Sequence, residues 1–161
     1  MTSTKSVTGH LTVAALTLFA VTAVAETPAS QLGKWRLNTG KSDQGKNPNP
    51  VVEAVLDVTA DDGKTLRFTL VENLKDGSKL SYKWDGAYDG VIRPAADFYS
   101  VGYEHVPGGW RDSWEMTAGQ AKGLKGSDDC KLSLDGQQQI CRGGLAGSPP
   151  SYTLIYDKAL I

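Results

Sequence analysis

Cys130 and Cys141 stand symmetrically about Asp135-Gly136, and this arrangement constrains the chain more than any other feature in it. Asp-Gly is a strong local signal for a two-residue hairpin turn, because both residue types tolerate the backbone angles such a turn demands. With those two residues at the tip, Leu134 pairs with Gln137, and counting outward sets Cys130 directly opposite Cys141. Residues paired in this way lie roughly 4.5–5.5 Å apart at Cα, within reach of a disulfide. A β-hairpin stapled by one disulfide is therefore predicted. The alternative, a redox-active pair, calls for the close dithiol spacing that these two cysteines lack.

The N-terminus predicts a compartment in which such a bond persists. Lys5 and a polar stretch precede the apolar run Leu11–Thr22, which is short for a bilayer span. Ala23-Val24-Ala25 then fits the small-x-small cleavage pattern of a secretory signal peptide. An anchoring or buried N-terminal helix is the alternative. No cysteine follows the apolar run, so nothing suggests a lipid anchor. The expected organisation is a signal peptide over residues 1–25, cleaved near Ala25, and a single domain over 26–161. That domain is exported to the periplasm or beyond, where disulfides form and last.

Charge and residue usage narrow the function classes. Lys and Arg number 17 against 18 Asp and Glu, a net −1 that becomes −2 once Lys5 is set aside. Without a basic excess, nucleic acid is not an expected partner. Residues 26–161 hold no second long apolar stretch, so no span of the mature chain is expected. The two histidines are His10, inside the signal, and His105, and the two cysteines are committed to each other. A His-rich or Cys/His metal site is thereby excluded. The Asp pairs at 61–62 and 128–129 lack the alternating carboxylate spacing of an EF-hand loop and are read as turn chemistry. No metal and no cofactor is expected. Gly143–Gly147 lacks the Lys-Ser/Thr of a phosphate-binding loop and reads as a flexible connection.

The rest of the chain alternates with period two between turns, with no helical stretch. Trp35 and Leu37 share a face. Val52, Ala54, Leu56 and Val58 make a half-buried strand, Leu66, Phe68 and Leu70 the next, and Leu80, Tyr82 and Trp84 another. Asp61-Asp62-Gly63 and Asp76-Gly77 supply the turns between them. Residues 88–96 read as irregular. Tyr99, Val101 and Tyr103 lie on one face of a strand ending near Val106, and Gly108-Gly109 turns it into Trp110–Met116. Residues 117–129 are ambiguous, and Tyr152–Tyr156 closes the chain. Eight to ten short strands joined hairpin to hairpin predict an all-β antiparallel up-and-down barrel.

Gly33-x-Trp35 on the first strand after a signal peptide resembles the N-terminal signature of lipocalins. The wider segment from Gly33 to Ser42, the Tyr88-Asp89-Gly90 stretch and the closing Tyr156-Asp157-Lys158 are similar to a group of small, secreted, lipocalin-like bacterial proteins of unassigned function. The resemblance implies that Trp35 closes one end of the barrel. It makes Lys158 the candidate for the basic residue that lipocalins set against that tryptophan from the last strand.

Alternation turns Trp35, Phe68, Tyr82, Trp84, Tyr99, Tyr103, Trp114, Tyr152 and Tyr156 inward. These rings either fill the core or line a cavity for a small ligand, since a barrel of this strand count can do both. His105 and Asp112, opposite one another if Gly108-Gly109 is the turn, are the candidate polar pair at the barrel mouth. Such a pair could orient a proton-transfer base, as an isomerase or cyclase would need, but no nucleophile or metal stands at a predictable spacing, so no enzymatic activity is expected. Binding of a small hydrophobic or amphipathic ligand in the interior is the leading expectation. The alternative is a filled barrel, an inhibitor or assembly subunit, acting through loop 41–50, the Pro107–Gly109 turn and segment 143–150, with Trp110 nearby.

Overall fold

A computed structural model describes residues 30–159. The expected signal peptide, residues 1–25, lies outside them. The described chain is ten antiparallel strands and no helix. They are β1 (Gly33–Leu37), β2 (Val51–Asp61), β3 (Thr65–Leu74), β4 (Lys79–Ala87) and β5 (Arg93–Ala96), then β6 (Tyr99–Val106), β7 (Gly109–Met116), β8 (Lys125–Leu132), β9 (Gln138–Leu145) and β10 (Tyr152–Lys158).

The strands follow one another as a meander, and the first and last pair. Trp35 of β1 faces Lys158 of β10, so the sheet closes where the chain begins and ends. The seam falls instead between β4 and β5, leaving a nearly closed barrel. β5 is only four residues long and contains Pro94, which has no N–H to donate to a neighbouring strand.

Alternation explains the faces. On β3, Leu66, Phe68 and Leu70 are buried while Thr65, Arg67 and Thr69 are exposed. Asp side chains hold the turns: Oδ1 of Asp62 accepts from the backbone N–H of Lys64 and Thr65, that of Asp76 from Ser78, and that of Asp135 from Gln137. The stapled hairpin forms as its spacing predicts. Cys130 pairs with Cys141 across β8 and β9, their Cα atoms 4.0 Å apart, and the disulfide is formed. Both sulfurs sit on the inner face beside Trp110.

Four local expectations change. The β6–β7 turn is Pro107-Gly108 rather than Gly108-Gly109, so Tyr103 faces Asp112 and His105 faces Trp110. Gly108 takes φ +80°, which a residue with a Cβ resists, whereas Gly109 is the first residue of β7. Residues 125–129 belong to β8, so Asp128-Asp129 is strand and not turn. Gly143 and Gly144 are paired residues of β9, not a flexible connection. Part of the irregular 88–96 stretch is β5.

The middle of the barrel is filled by rings meeting across the lumen. Phe68 lies parallel to Trp110 with centroids 6.3 Å apart, and Tyr103 sets its edge against both at 5.6 and 6.1 Å. Trp84 packs on Tyr103 at 5.0 Å. Such aromatic pairs each add roughly 0.5–1.5 kcal/mol beyond the area they bury.

Candidate functional site

The meander gives the barrel two unlike ends. At one end lie the turns 62–64, 107–108 and 133–137; at the other lie loops 38–50, 75–78, 117–124 and 146–151.

The first end is plugged. Gln31 enters it ahead of β1, fully buried, with its carbonyl accepting from Trp35 Nε1 at 2.8 Å and its backbone N–H donating to Asp61 Oδ2 at 2.8 Å. Gln139 Nε2 donates to Gln31 Oε1. Lys158 Nζ lies 5.1 Å from the centre of the Trp35 ring, a cation–π contact. His105 belongs to this end but is exposed, edge-on to Tyr88. Tyr88 in turn donates to Asp61 Oδ1 at 2.9 Å, and burial raises its phenol above the ordinary value.

The other end is lined by carboxyl groups and phenols. Tyr103, Asp112, Asp128, Gly143 and Tyr152 form one row across β6, β7, β8, β9 and β10. Tyr152 Oη donates to Asp128 Oδ1 at 2.6 Å, and Trp114 Nε1 donates to Asp128 Oδ2 at 3.1 Å. Glycine makes this convergence possible. A Cβ on Gly143 would land in the Asp128 carboxyl group, and one on Gly126 would land in the Trp114 ring. The side chains from β7 and β10 therefore reach Asp128 across space that two neighbouring residues leave empty.

Burial raises the Asp112 carboxyl well above the usual range, and the Asp128 charge beside it pushes the same way. Burial also raises Asp128, while the donors Tyr152, Asp112 and Trp114 favour its ionised form. Within the pair, burial and the neighbouring charge favour the neutral form of Asp112, and the donors around Asp128 favour its ionised form. Glu72, the last inward residue of β3, is pushed up to about 7 by burial first and the Asp128 charge second. The phenols of Tyr82, Tyr99, Tyr103, Tyr152 and Tyr156 are all raised, chiefly by burial. Carboxylates at this end account for part of each shift.

Asp112 is 6% exposed, and its Oδ1 is enclosed without a hydrogen-bond partner, as are Gln31 Nε2, Gln139 Oε1 and Trp84 Nε1. The rings of Tyr103 and Tyr156 are 2% and 4% exposed. Val52, Leu124 and Leu145, all exposed, stand at the strand ends around the rim of the open end.

The structure sets Tyr82, Tyr99, Trp114 and Tyr152 toward the open end and Tyr103, Asp112 and Tyr156 at mid-barrel. It keeps Phe68 and Trp84 in the filled middle and Trp35 in the plug, and it moves His105 two residues out of register with Asp112, toward the plugged end. Trp110, expected near a contact surface, is core. Of the three segments expected to form that surface, loop 41–50, whose Asp43 pairs with Thr153 of β10, and segment 143–150 share the open end, while the Pro107–Gly109 turn is at the plugged end. Sequence reading missed Glu72 and Asp128. Both carry the inward parity of recognised neighbours, Leu70 on β3 and Cys130 on β8, and parity alone would have found them.

Among the described residues, no three His, Cys, Asp or Glu side chains converge as a metal site would require. Among the described residues no helix is long and apolar enough to cross a membrane. What the fold defines is a nearly closed antiparallel β-barrel, plugged at one end, with half-buried tyrosines toward the other. Comparison with protein-family models, curated proteins and solved structures finds no match to the chain.

Proposed function

We propose that the protein is an exported, non-catalytic barrel that binds a small amphipathic molecule at its open end. The observation that carries this reading is a set of inward rings, Tyr82, Tyr99, Trp114 and Tyr152, left half-buried between the open end and the filled middle that Tyr103 closes. Binding sites are concave, mostly apolar and equipped with a few convergent polar groups. Rings, hydroxyls and carboxyl groups supply that combination here, and the apolar rim would cover the ligand's body.

The filled middle limits the ligand to the open half of the barrel. Export is supported by the disulfide, which fits an oxidising compartment, and by the signal-peptide pattern before residue 26. The Lys158–Trp35 contact supports the lipocalin-like reading. The second reading, a filled barrel working through its loops, draws its support from the Phe68–Trp110 stack. Its surface reduces to loops 41–50 and 146–150.

Native mass spectrometry of the protein purified from the periplasm, followed by denaturing extraction, tests the proposal. A small molecule should co-purify with the wild type and be lost from a folded Tyr103→Phe variant. An apo mass, with no uptake of fluorescent amphiphiles, would transfer the function to the loops.

A further inference from the structure

We propose that the outer face of the barrel carries a binding site for a phosphate group, held between Arg111 and Arg142 beside the loop that joins β9 to β10. The site is independent of the interior ligand proposed above and lies on the opposite side of the sheet.

The site is a recess of about 220 Å³, with outward residues of β7, β8 and β9 as its floor and Ser148 and Pro150 as its wall. A glycine makes the wall possible. Gly144 points outward from β9 yet is buried, because the loop folds back over it. A Cβ there would come within 3.1 Å of both the Pro149 carbonyl oxygen and the Ser151 nitrogen. Three backbone hydrogen bonds pin the loop where it lies. Ala146 donates to the Lys125 carbonyl at 2.9 Å, Ser148 to Leu145 at 3.0 Å and Ser151 to Gly143 at 2.8 Å. The recess is therefore formed before a ligand arrives, which lowers the cost of binding one.

The charges around the recess do not cancel. Arg111, Asp129 and Arg142 are cross-strand partners in one outward row. Asp129 is claimed twice already: Oδ2 accepts from Arg111 at 3.1 Å, and Oδ1 lies 3.3 Å from Lys131 Nζ. Arg142, beside it on β9, makes neither an ion pair nor a side-chain hydrogen bond among the described residues. Three cations thus share one carboxylate, a local excess of positive charge on a chain whose net charge is −1. The other acid bordering the recess, Asp128, turns its carboxyl group to the inner face, where Tyr152 and Trp114 donate to it.

The donor set suits a phosphate. Guanidinium groups present forked N–H donors that match phosphate and carboxylate oxygens. The Ser127 and Ser148 hydroxyls, on the floor and the wall, supply two donors more. Donors that arrive from the sheet on one side and the loop on the other call for an anion with oxygens on several sides. A tetrahedral phosphate has them and a planar carboxylate does not. Pro150, exposed at the edge, offers an apolar surface to the body of a phosphate ester.

The test follows backbone amide signals by nuclear magnetic resonance in the protein purified from the periplasm. Phenyl phosphate, inorganic phosphate, benzoate and phenol are titrated at about pH 7.5 and about 20 mM sodium chloride, where charge screening is weak. Signals of Ser127, Gly144 and Ser148 should shift together with the phosphates, with a dissociation constant on the order of 1 mM. Benzoate should bind more weakly and phenol should leave the signals in place. Arg142→Gln should weaken phosphate binding roughly tenfold or more, the loss of a charge-assisted forked contact. Gly144→Ala, which keeps every charge, should weaken it by displacing the loop. Arg67→Gln removes a surface arginine elsewhere, the one paired with Asp85, and should change nothing. The dispersion of the same spectra checks that each variant is folded.

Tighter binding of phenyl phosphate than of inorganic phosphate would support the site with an ester as its ligand; equal binding would support it with the free anion. Affinity unaltered by Arg142→Gln or by Gly144→Ala, or shifts spread evenly over the outer surface, would overturn the site. Benzoate bound as tightly as phenyl phosphate would overturn its phosphate chemistry. The interior amides of Tyr103 and Tyr156 should stay in place throughout, which keeps this result separate from the interior ligand.

Discussion

The two ends of the barrel bury polar groups in opposite ways. The plugged end buries neutral amides: Gln31 and Gln139 are fully enclosed and bonded to each other, and Trp35 Nε1 closes on a backbone carbonyl. The cation there, Lys158, lies against a ring. Away from the plug stand carboxyl groups with no cation among them: Asp112, buried with Oδ1 unpartnered, and Asp128 and Glu72, half-buried. The plug also encloses unpartnered atoms, Gln31 Nε2 and Gln139 Oε1, but an amide stays neutral, whereas burial without counter-charge works against an ionised carboxyl group. One end is organised for packing and the other carries groups that packing does not need, and such departures from local consistency concentrate at functional sites.

The comparison breaks first if the plug proves dispensable. Trp35 is fully enclosed and anchors Gln31, so Trp35→Ala should cost about 3–5 kcal/mol of unfolding free energy, the range for large aromatic truncations in cores. Chemical denaturation measures it, and a loss below about 1 kcal/mol would mean that this end is no better packed than the other. A step down in size is the disulfide. Cys130 and Cys141 close a short loop, with a sequence separation of 11, and replacing both by Ser should cost roughly 2–3 kcal/mol on the chain-entropy account. Because Cys130 pairs with Trp110, in the filled middle, the loss should leave ligand binding at the open end intact. Loss of binding together with stability would show that the two regions are not independent.

The same contrast explains how much could be read beforehand. Strand number, antiparallel order, the stapled hairpin and the inward aromatic face follow from period-two alternation and Asp-Gly turns, which are local signals. The β6–β7 register was harder, because Pro107-Gly108-Gly109 offers two adjacent turn positions. Gly109 is glycine for another reason, the closeness of the Cys130 carbonyl, which only the folded sheet reveals. The two-residue slip preserved parity, so Tyr103, Asp112 and Trp114 stayed inward even though the His105–Asp112 pairing was lost. The carboxyl cluster was half legible. Asp112 is recognisable by its face, but Glu72 lies one inward step beyond the apolar run of β3, where a charged residue reads as a strand end. Asp128 sits in a Gly- and Asp-rich stretch that reads as loop. The plug was legible only in Trp35, since a buried Gln31 ahead of the first strand has no local signature.

The smallest effect sharpens the comparison most, because it depends on ionisation alone. Glu72 has an ordinary value of 4.5 and is raised to about 7 in the fold. Below the lower value the carboxyl is protonated whether the chain is folded or not. Between the two, the unfolded chain loses its proton while the folded chain keeps it, so stability falls as pH rises; above the upper value the loss is complete. The full shift corresponds to a ceiling of about 3 kcal/mol, and partial access to water reduces this to on the order of 1–2 kcal/mol. Glu72→Gln has no such proton to lose. Unfolding curves should therefore show the variant close to wild type near the acidic end and more stable by that amount above the window. Parallel pH profiles would mean that the Glu72 carboxyl is solvated. The carboxyl cluster would then reduce to the Asp112–Asp128 pair.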